Sequence, residues 1–182
     1  GDIISHQELN ELSNQGAQLF RSLGLKPGDS LAFMMENHKL FFPIAFAAYR
    51  SGLKYTAISW RLQASEVEYI VKDCGAKVFI TSKFLEESAK SLVNSLEGVH
   101  KFMLDGTTDN FKSYEKEINN MPITSIEDEC QGAAMLYSSG TTGKPKGVSR
   151  EVNLSPLPYK AEEDDLGLTR VVQGLYSADE DS

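Results

Sequence analysis

Five short apolar runs alternate with helical segments between residues 30 and 139, and this alternation limits the fold more than any other feature of the chain. The runs are SLAFMM (Ser30 to Met35), KYTAIS (Lys54 to Ser59), AKVFIT (Ala76 to Thr81), HKFMLDG (His100 to Gly106) and GAAMLYSS (Gly132 to Ser139). Short, continuously apolar strands joined by helical crossovers indicate a parallel sheet buried on both faces. The expected fold class is therefore α/β: a mostly parallel sheet layered with helices.

The intervening segments carry helix start and stop signals. SHQELNELSNQGAQLFRSLG opens with Ser5 and Glu8 at capping-box spacing. It places Leu9, Leu12, Leu19, Phe20 and Leu23 near one face and stops at Gly24. KPGD (Lys26 to Asp29) is a turn. A second helix is expected from about Lys39 to Ser51, where Pro43 is tolerable only near the first turn. SEVEYIVKDCG is a helix with Ser65 and Glu68 as its capping-box pair. FLEESAKSLVNSLEG is a helix stopped at Gly98. Tyr114 to Asn119 is a short helix. Past Val148, SREVNLSPLPYKAEEDDLG reads as a loop, followed by a helix from about Gly167 to Tyr176.

At 182 residues the chain has room for about one domain, and 41% hydrophobic with 24% charged residues is enough for a core. Its net charge of −8 is uneven. Residues 1–150 carry 16 basic and 18 acidic side chains, and residues 151–182 carry 2 and 8. With no basic stripe, nucleic acid is not an expected partner. No run has the length of a transmembrane span. Cys74 and Cys130 lie far apart in neither a CxxC nor a metal spacing, and read as reduced thiols of a cytoplasmic protein.

One segment does not serve packing. YSSGTTGKPKGV (Tyr137 to Val148) holds three glycines, four hydroxyl side chains after the tyrosine, two lysines and a proline. Glycines let backbone N–H groups converge on an anion, hydroxyls add donors, and lysines add mobile positive charge. A flexible connector has a similar composition. Placement directly after a strand favours phosphate, because open α/β sheets bind ligands beyond their strand carboxyl ends. The segment is not G-x-x-x-x-G-K-[ST], since its glycines are three apart and proline follows the first lysine. G-x-G-x-x-G is also absent, which disfavours a dinucleotide-binding dehydrogenase.

YSSGTTGKPKGV resembles the phosphate-loop signature of the adenylate-forming superfamily, which includes acyl-CoA synthetases, peptide-synthetase adenylation domains and luciferases. Gly24 to Ser59 resembles the family's GD-strand-N-helix-G block and Arg61 to Thr81 its next helix and strand, and the resemblance covers roughly residues 1–150. The texture is nearest to fatty acyl-CoA synthetases. The resemblance implies activation of a carboxylic acid with ATP to an acyl-adenylate and transfer to coenzyme A, with Mg²⁺ bridging the phosphates. By position it implies hydrogen bonds to phosphate from Ser138, Ser139, Gly140, Thr141, Thr142 and Gly143. Lys144 and Lys146 would offset the phosphate charge. Ser138 stands where the family often has threonine, and keeps the hydroxyl.

Residues 151–182 contain no stretch like the family's adenine, ribose or Mg²⁺ sites, nor its C-terminal lysine, so no catalytic residue is assigned. His6, His38 and His100 read as surface or structural, and Trp60 as packing. The chain is expected to be the N-terminal part of a longer AMP-binding domain, with residues 1–150 ending in the phosphate loop and 151–182 a truncated continuation. Both ends look cut. Such a segment is expected to be catalytically silent without the missing C-terminal part, and marginally stable. The alternatives are another adenylate-forming enzyme, aryl or amino acid activating, or a non-catalytic nucleotide-binding module.

Overall fold

In the computed structural model, residues 4–138, 145–149 and 153–156 are described. Helix α1 (His6–Ser22) precedes β1 (Ser30–Met34), α2 (Phe41–Arg50), β2 (Lys54–Ile58), α3 (Ala64–Asp73) and β3 (Ala76–Ser82). A 3-10 turn at Lys83–Leu85 leads into α4 (Glu86–Leu92) and β4 (His100–Leu104). Then come β5 (Lys112–Ser113), α5 (Tyr114–Ile118), β6 (Cys130–Gln131), β7 (Ala133–Ser138), β8 (Lys146–Ser149) and β9 (Asn153–Pro156).

Seven of these strands form one sheet in the order β5-β4-β3-β1-β2-β7-β8. All neighbours from β5 to β7 pair in parallel, while β8 returns antiparallel to β7. Strands β6 and β9 form a separate antiparallel pair. The core lies in two layers. On one face Leu31 and Phe33 of β1 and Val78 and Ile80 of β3 pack with Phe20 of α1, Ile44 of α2 and Tyr114 of α5. On the other, Ala32, Met34 and Phe79 pack with Val67 and Ile70 of α3 and Leu92 of α4. Alternate residues of one strand thus feed opposite layers, which is why these strands read as unbroken apolar runs.

Local signals explain most boundaries. Glu8 N–H donates to Ser5 Oγ at 3.1 Å, so the first capping residue is where its spacing places it. Pro43 is the third residue of α2, where a missing N–H costs nothing. The second capping box is displaced. Helix α3 starts at Ala64, and Gln63 N–H donates to Glu66 Oε2 at 2.9 Å. Ser65 is not the cap, and Glu68 is instead paired with Lys72 one turn on at 2.6 Å. The earlier start frees Glu68 for that pair.

Two further expectations are corrected. The helix expected to run to Gly98 ends at Leu92. Val93 is β-branched, and the Ser91 and Ser95 hydroxyls donate to the carbonyls of Ser88 and Leu92, competing with the helical ladder. Residues 146–149 and 153–156, which fall partly in the stretch read as loop, are strands β8 and β9. β9 pairs with β6, which precedes β7 and is only two residues long, so that pairing is not visible locally, whereas β8 returns along β7 just across the glycine-rich segment. The helix expected from Gly167 to Tyr176 lies outside the described residues.

A polar belt fastens residues 119–129 to the helical layer. Arg50 donates to Asn14 Oδ1 and, at 3.1 Å, to Asn10 Oδ1. Its Nε lies 3.1 Å from Glu129 Oε1, close enough for an ion pair although the N–H is not aimed at that oxygen. Burial pushes the Glu129 carboxyl upward, and Arg50 opposes that shift. Asn14 Nδ2 donates to Ile123 O at 2.7 Å, and Arg21 pairs with Asp128 at 3.0 Å.

Candidate functional site

The glycine-rich segment lies between two strands that pair with each other. β7 and β8 are antiparallel, with Ser138 directly opposite Lys146 in the register. Of the expected phosphate-binding residues, Ser138 is therefore the last residue of β7 and Lys146 the first of β8. Ser139, Gly140, Thr141, Thr142, Gly143 and Lys144 lie outside the described residues. Lys146 is exposed.

Two unpredicted features build the base of that hairpin. Tyr137 Oη donates to Asp73 Oδ2 at 2.6 Å, fastening the end of β7 to the end of α3. Burial and then the Asp73 hydrogen bond hold this phenol protonated well above the usual tyrosine range. Opposite Tyr137 stands Gly147, where a Cβ would lie 2.9 Å from the Tyr137 ring and 2.4 Å from the Met135 methyl. Glycine at 147 lets both side chains of β7 lie across β8. The available signal was the glycine of PKG, a small residue inside a strand where a neighbour approaches closely.

At its start β7 is held as closely. Gly132 N–H donates to Tyr49 O at 2.7 Å and Ala133 N–H to Leu53 O at 3.1 Å. A Cβ at Gly132 would meet Leu53 O at 2.4 Å and Ala48 O at 3.0 Å, so the backbone tolerates only glycine there.

Because β1, β2, β3, β4 and β7 are parallel, the segment leaves the sheet on the side of their carboxyl ends. It is not at the point where the strand order reverses. The order β2-β1-β3-β4-β5 puts that point between β1 and β3. There Ser82 Oγ donates to Glu36 Oε2 at 2.5 Å and bridges the two strand ends. Nearby, His38 Nδ1 accepts the Leu40 N–H at 3.1 Å, so Nε2 carries the proton and donates to Asp105 at 2.9 Å. Both ring nitrogens are engaged and the side chain is 8% exposed, so His38 is structural. His6 and His100 are exposed.

Trp60 packs against neighbouring side chains at the surface. It is 40% exposed and meets Phe84, 68% exposed, edge to face at 6.1 Å, with the Arg61 guanidinium 5.1 Å from its ring centre. Among the described residues no group of three or more His, Cys, Asp or Glu is placed to hold a metal ion. Among the same residues no helix is long and apolar enough to cross a membrane.

Comparison with known proteins agrees with this architecture. A family profile described as "AMP-binding enzyme" matches residues 1–153. A fatty acid–[acyl-carrier-protein] ligase, ScoC, of Streptomyces coeruleorubidus is 28% identical over 149 residues, 81% of this chain and 28% of that protein. A feruloyl-CoA synthase of Amycolatopsis is 29% identical over the same shares. The solved structure of a Mycobacterium tuberculosis fatty acyl CoA synthetase superposes with a TM-score of 0.69 at 25% identity, covering 82% of this chain and 29% of that one. The chain thus spans about 28% of the length of these curated relatives. Its parallel sheet and flanking helices match the N-terminal part of adenylate-forming enzymes, and the chain belongs to the AMP-binding enzyme family.

Proposed function

We propose that this chain is the N-terminal segment of an AMP-forming acyl-CoA synthetase, which activates a fatty carboxylic acid with ATP and transfers it to coenzyme A. The observation that carries the reading is the β7–β8 hairpin. Its two strands bring Ser138 and Lys146 face to face at the ends of SSGTTGKPK. That pairing holds the two ends of the segment together, and its glycines, hydroxyls and lysines have the composition that suits a polyphosphate. Ser138, Ser139, Gly140, Thr141, Thr142 and Gly143 would supply donors, and Lys144 and Lys146 positive charge. Mg²⁺ bound with ATP would supply further charge neutralisation, its protein ligands lying beyond this segment.

Residues 1–150 and 151–182 belong in this reading to one AMP-binding domain in the cytoplasm, completed by a C-terminal part. The name of the ScoC relative supports a fatty acid as substrate, with a carrier protein as thiol in that protein. The feruloyl-CoA synthase keeps an aryl acid as the second reading.

The test begins with the mass of the native polypeptide, followed by carboxylate-dependent ATP–pyrophosphate exchange on the longest form found. Exchange driven by fatty acids supports the proposal, and exchange driven only by aryl acids selects the second reading. A native mass of 20.1 kDa with no exchange for any acid would sink both.

A further inference from the structure

Strand β7 is tied to the sheet only at its beginning. Its ladder with β2 joins Ala133 to Lys54 and Ala134 to Tyr55 and goes no further. From Met135 to Ser138 its partner is β8, the last strand in the sheet order. These residues and β8 are therefore a two-stranded arm leaving the sheet on the carboxyl-end side. A two-stranded pair is marginal in water without packing from elsewhere.

One face of the arm has that packing. Met135 and Tyr137 lie against the layer formed with α3 and α4. A Cβ at Gly147 would stand 2.9 Å from Cζ and 3.0 Å from Oη of Tyr137, so the tip of the phenol rests on the β8 backbone. The same Oη donates to Asp73 Oδ2 at 2.6 Å. Asp73, Tyr137 and Gly147 thus form one stack from the end of α3, across β7, to the residue that follows Lys146. On the other face Leu136 and Val148 are exposed register partners, and Lys146 shares that face and is exposed too. Where the Lys146 ammonium stands is then decided by the β8 backbone, which the phenol clamps.

Asp73 does not serve α3 itself. It is the last residue of the helix, where a carboxylate meets the negative end of the helix dipole and is unfavourable. The donated phenol O–H offsets that cost. Tyr69, one turn earlier on α3, lies beside the same carboxylate and helps to fix its direction.

We propose that Tyr137 and Asp73 are a positioning pair that places Lys146 for the triphosphate of ATP. The inference rests on the phosphate-site reading above and extends it to two residues that act through β8 rather than on the nucleotide. With the hydrogen bond gone, the arm keeps its apolar contacts but not its fixed direction. Lys146 then has more freedom to lose when ATP binds, and that loss weakens binding.

The test uses the intact enzyme and ATP–pyrophosphate exchange, well below the unfolding midpoint of every variant, so that the folded fraction is the same in all. Tyr137→Phe and Asp73→Ala should each lower kcat/KM for ATP about five-fold, the scale of one hydrogen bond. Asp73→Asn keeps an oxygen that accepts from the phenol and should recover most of that loss. In the Lys146→Ala background Tyr137→Phe should have no further effect, because the side chain it positions is absent. A merely structural contact would leave the two effects additive. The proposal is overturned by an unchanged kcat/KM in Tyr137→Phe, by Asp73→Asn behaving as Asp73→Ala, or by additivity with Lys146→Ala. In each of these cases a loss in Lys146→Ala alone leaves the phosphate-site reading standing. If Lys146→Ala alone has no effect, that reading fails and the positioning role fails with it.

Discussion

Tyr137 Oη lies 2.6 Å from Asp73 Oδ2, joining the strand that runs into the glycine-rich segment to the last residue of α3. The contact sits one residue before Ser138, so it anchors the end of β7. Tyr137→Phe keeps the ring over Gly147 and removes only the hydrogen bond. It should cost about 1 kcal/mol in urea unfolding, since the freed Asp73 carboxylate is exposed and rehydrates. Unchanged exchange at the β7 and α3 ends would show that the contact does not fasten them.

Lys146 is exposed at the first position of β8 and takes no part in the core. Lys146→Ala should leave the unfolding midpoint within error. In the intact enzyme it should lower ATP–pyrophosphate exchange about ten-fold or more, the scale on which single donors to developing charge act. Lys146→Arg should retain more activity because the charge remains. Exchange kinetics unchanged in Lys146→Ala would remove the residue from the phosphate site.

Gly132 has no room for a side chain, and the obstacles are the Leu53 and Ala48 carbonyls rather than movable side-chain ends. Gly132→Ala should therefore destabilise by about 2–3 kcal/mol, as overpacking against a rigid neighbour does. It should also loosen the β2–β7 pairing, readable as faster exchange of the Ala133 amide.

Arg50 and Glu129 are each 12% exposed at their side chains. Removing one partner leaves a largely buried charge or polar group unmatched. Arg50→Ala should cost about 3 kcal/mol, measured by urea unfolding, and Arg50→Met should recover part of it by filling the space. A loss below 1 kcal/mol would mean that residues 119–129 are held by the Asn14, Gln15, Gln18 and Arg21 bonds without Arg50.

Three tyrosines should make the fold alkali-sensitive. Burial, with a smaller contribution from Tyr49, pushes Tyr55 up to about 12 from its usual 10.0. Burial also raises Tyr114, and Tyr137 is raised as described. The folded state thus keeps protons that the unfolded state releases near pH 10, so stability is intact below pH 10 and falls as pH rises beyond it. Tyr55 alone should cost about 2–3 kcal/mol by pH 12. The Tyr55 and Tyr114 hydroxyls are buried with no hydrogen-bond partner among the described residues. Tyr55→Phe should therefore be within about 1 kcal/mol of neutral at pH 7 and flatten the alkaline loss. An equally steep loss in that variant would place its cause elsewhere.

The α/β alternation and the parallel sheet were legible from residues because local signals dominate there. Ser5 caps α1, Pro43 sits in the first turn of α2, and β1 is buried on both faces. Gly147 carried a weak signal, and Tyr137 and Asp73 carried none, since their relationship spans 64 residues and depends on where α3 ends. Likewise, nothing in the run from Lys146 to Ser149 declares a strand until β7 offers its edge.

By itself, the sequence determined the crossover-linked sheet, its two apolar layers and the composition of the glycine-rich segment. These depend on periodicity, capping and backbone freedom within a few residues. Tertiary structure alone decided that β7 and β8, on either side of the segment, pair with each other. It set Ser138 against Lys146 and left Leu136 and Val148 uncovered on one face. β7 and β8 are close in the chain, but β7 itself is placed by Leu53 and Asp73, and contacts between elements so far apart are set only when they meet.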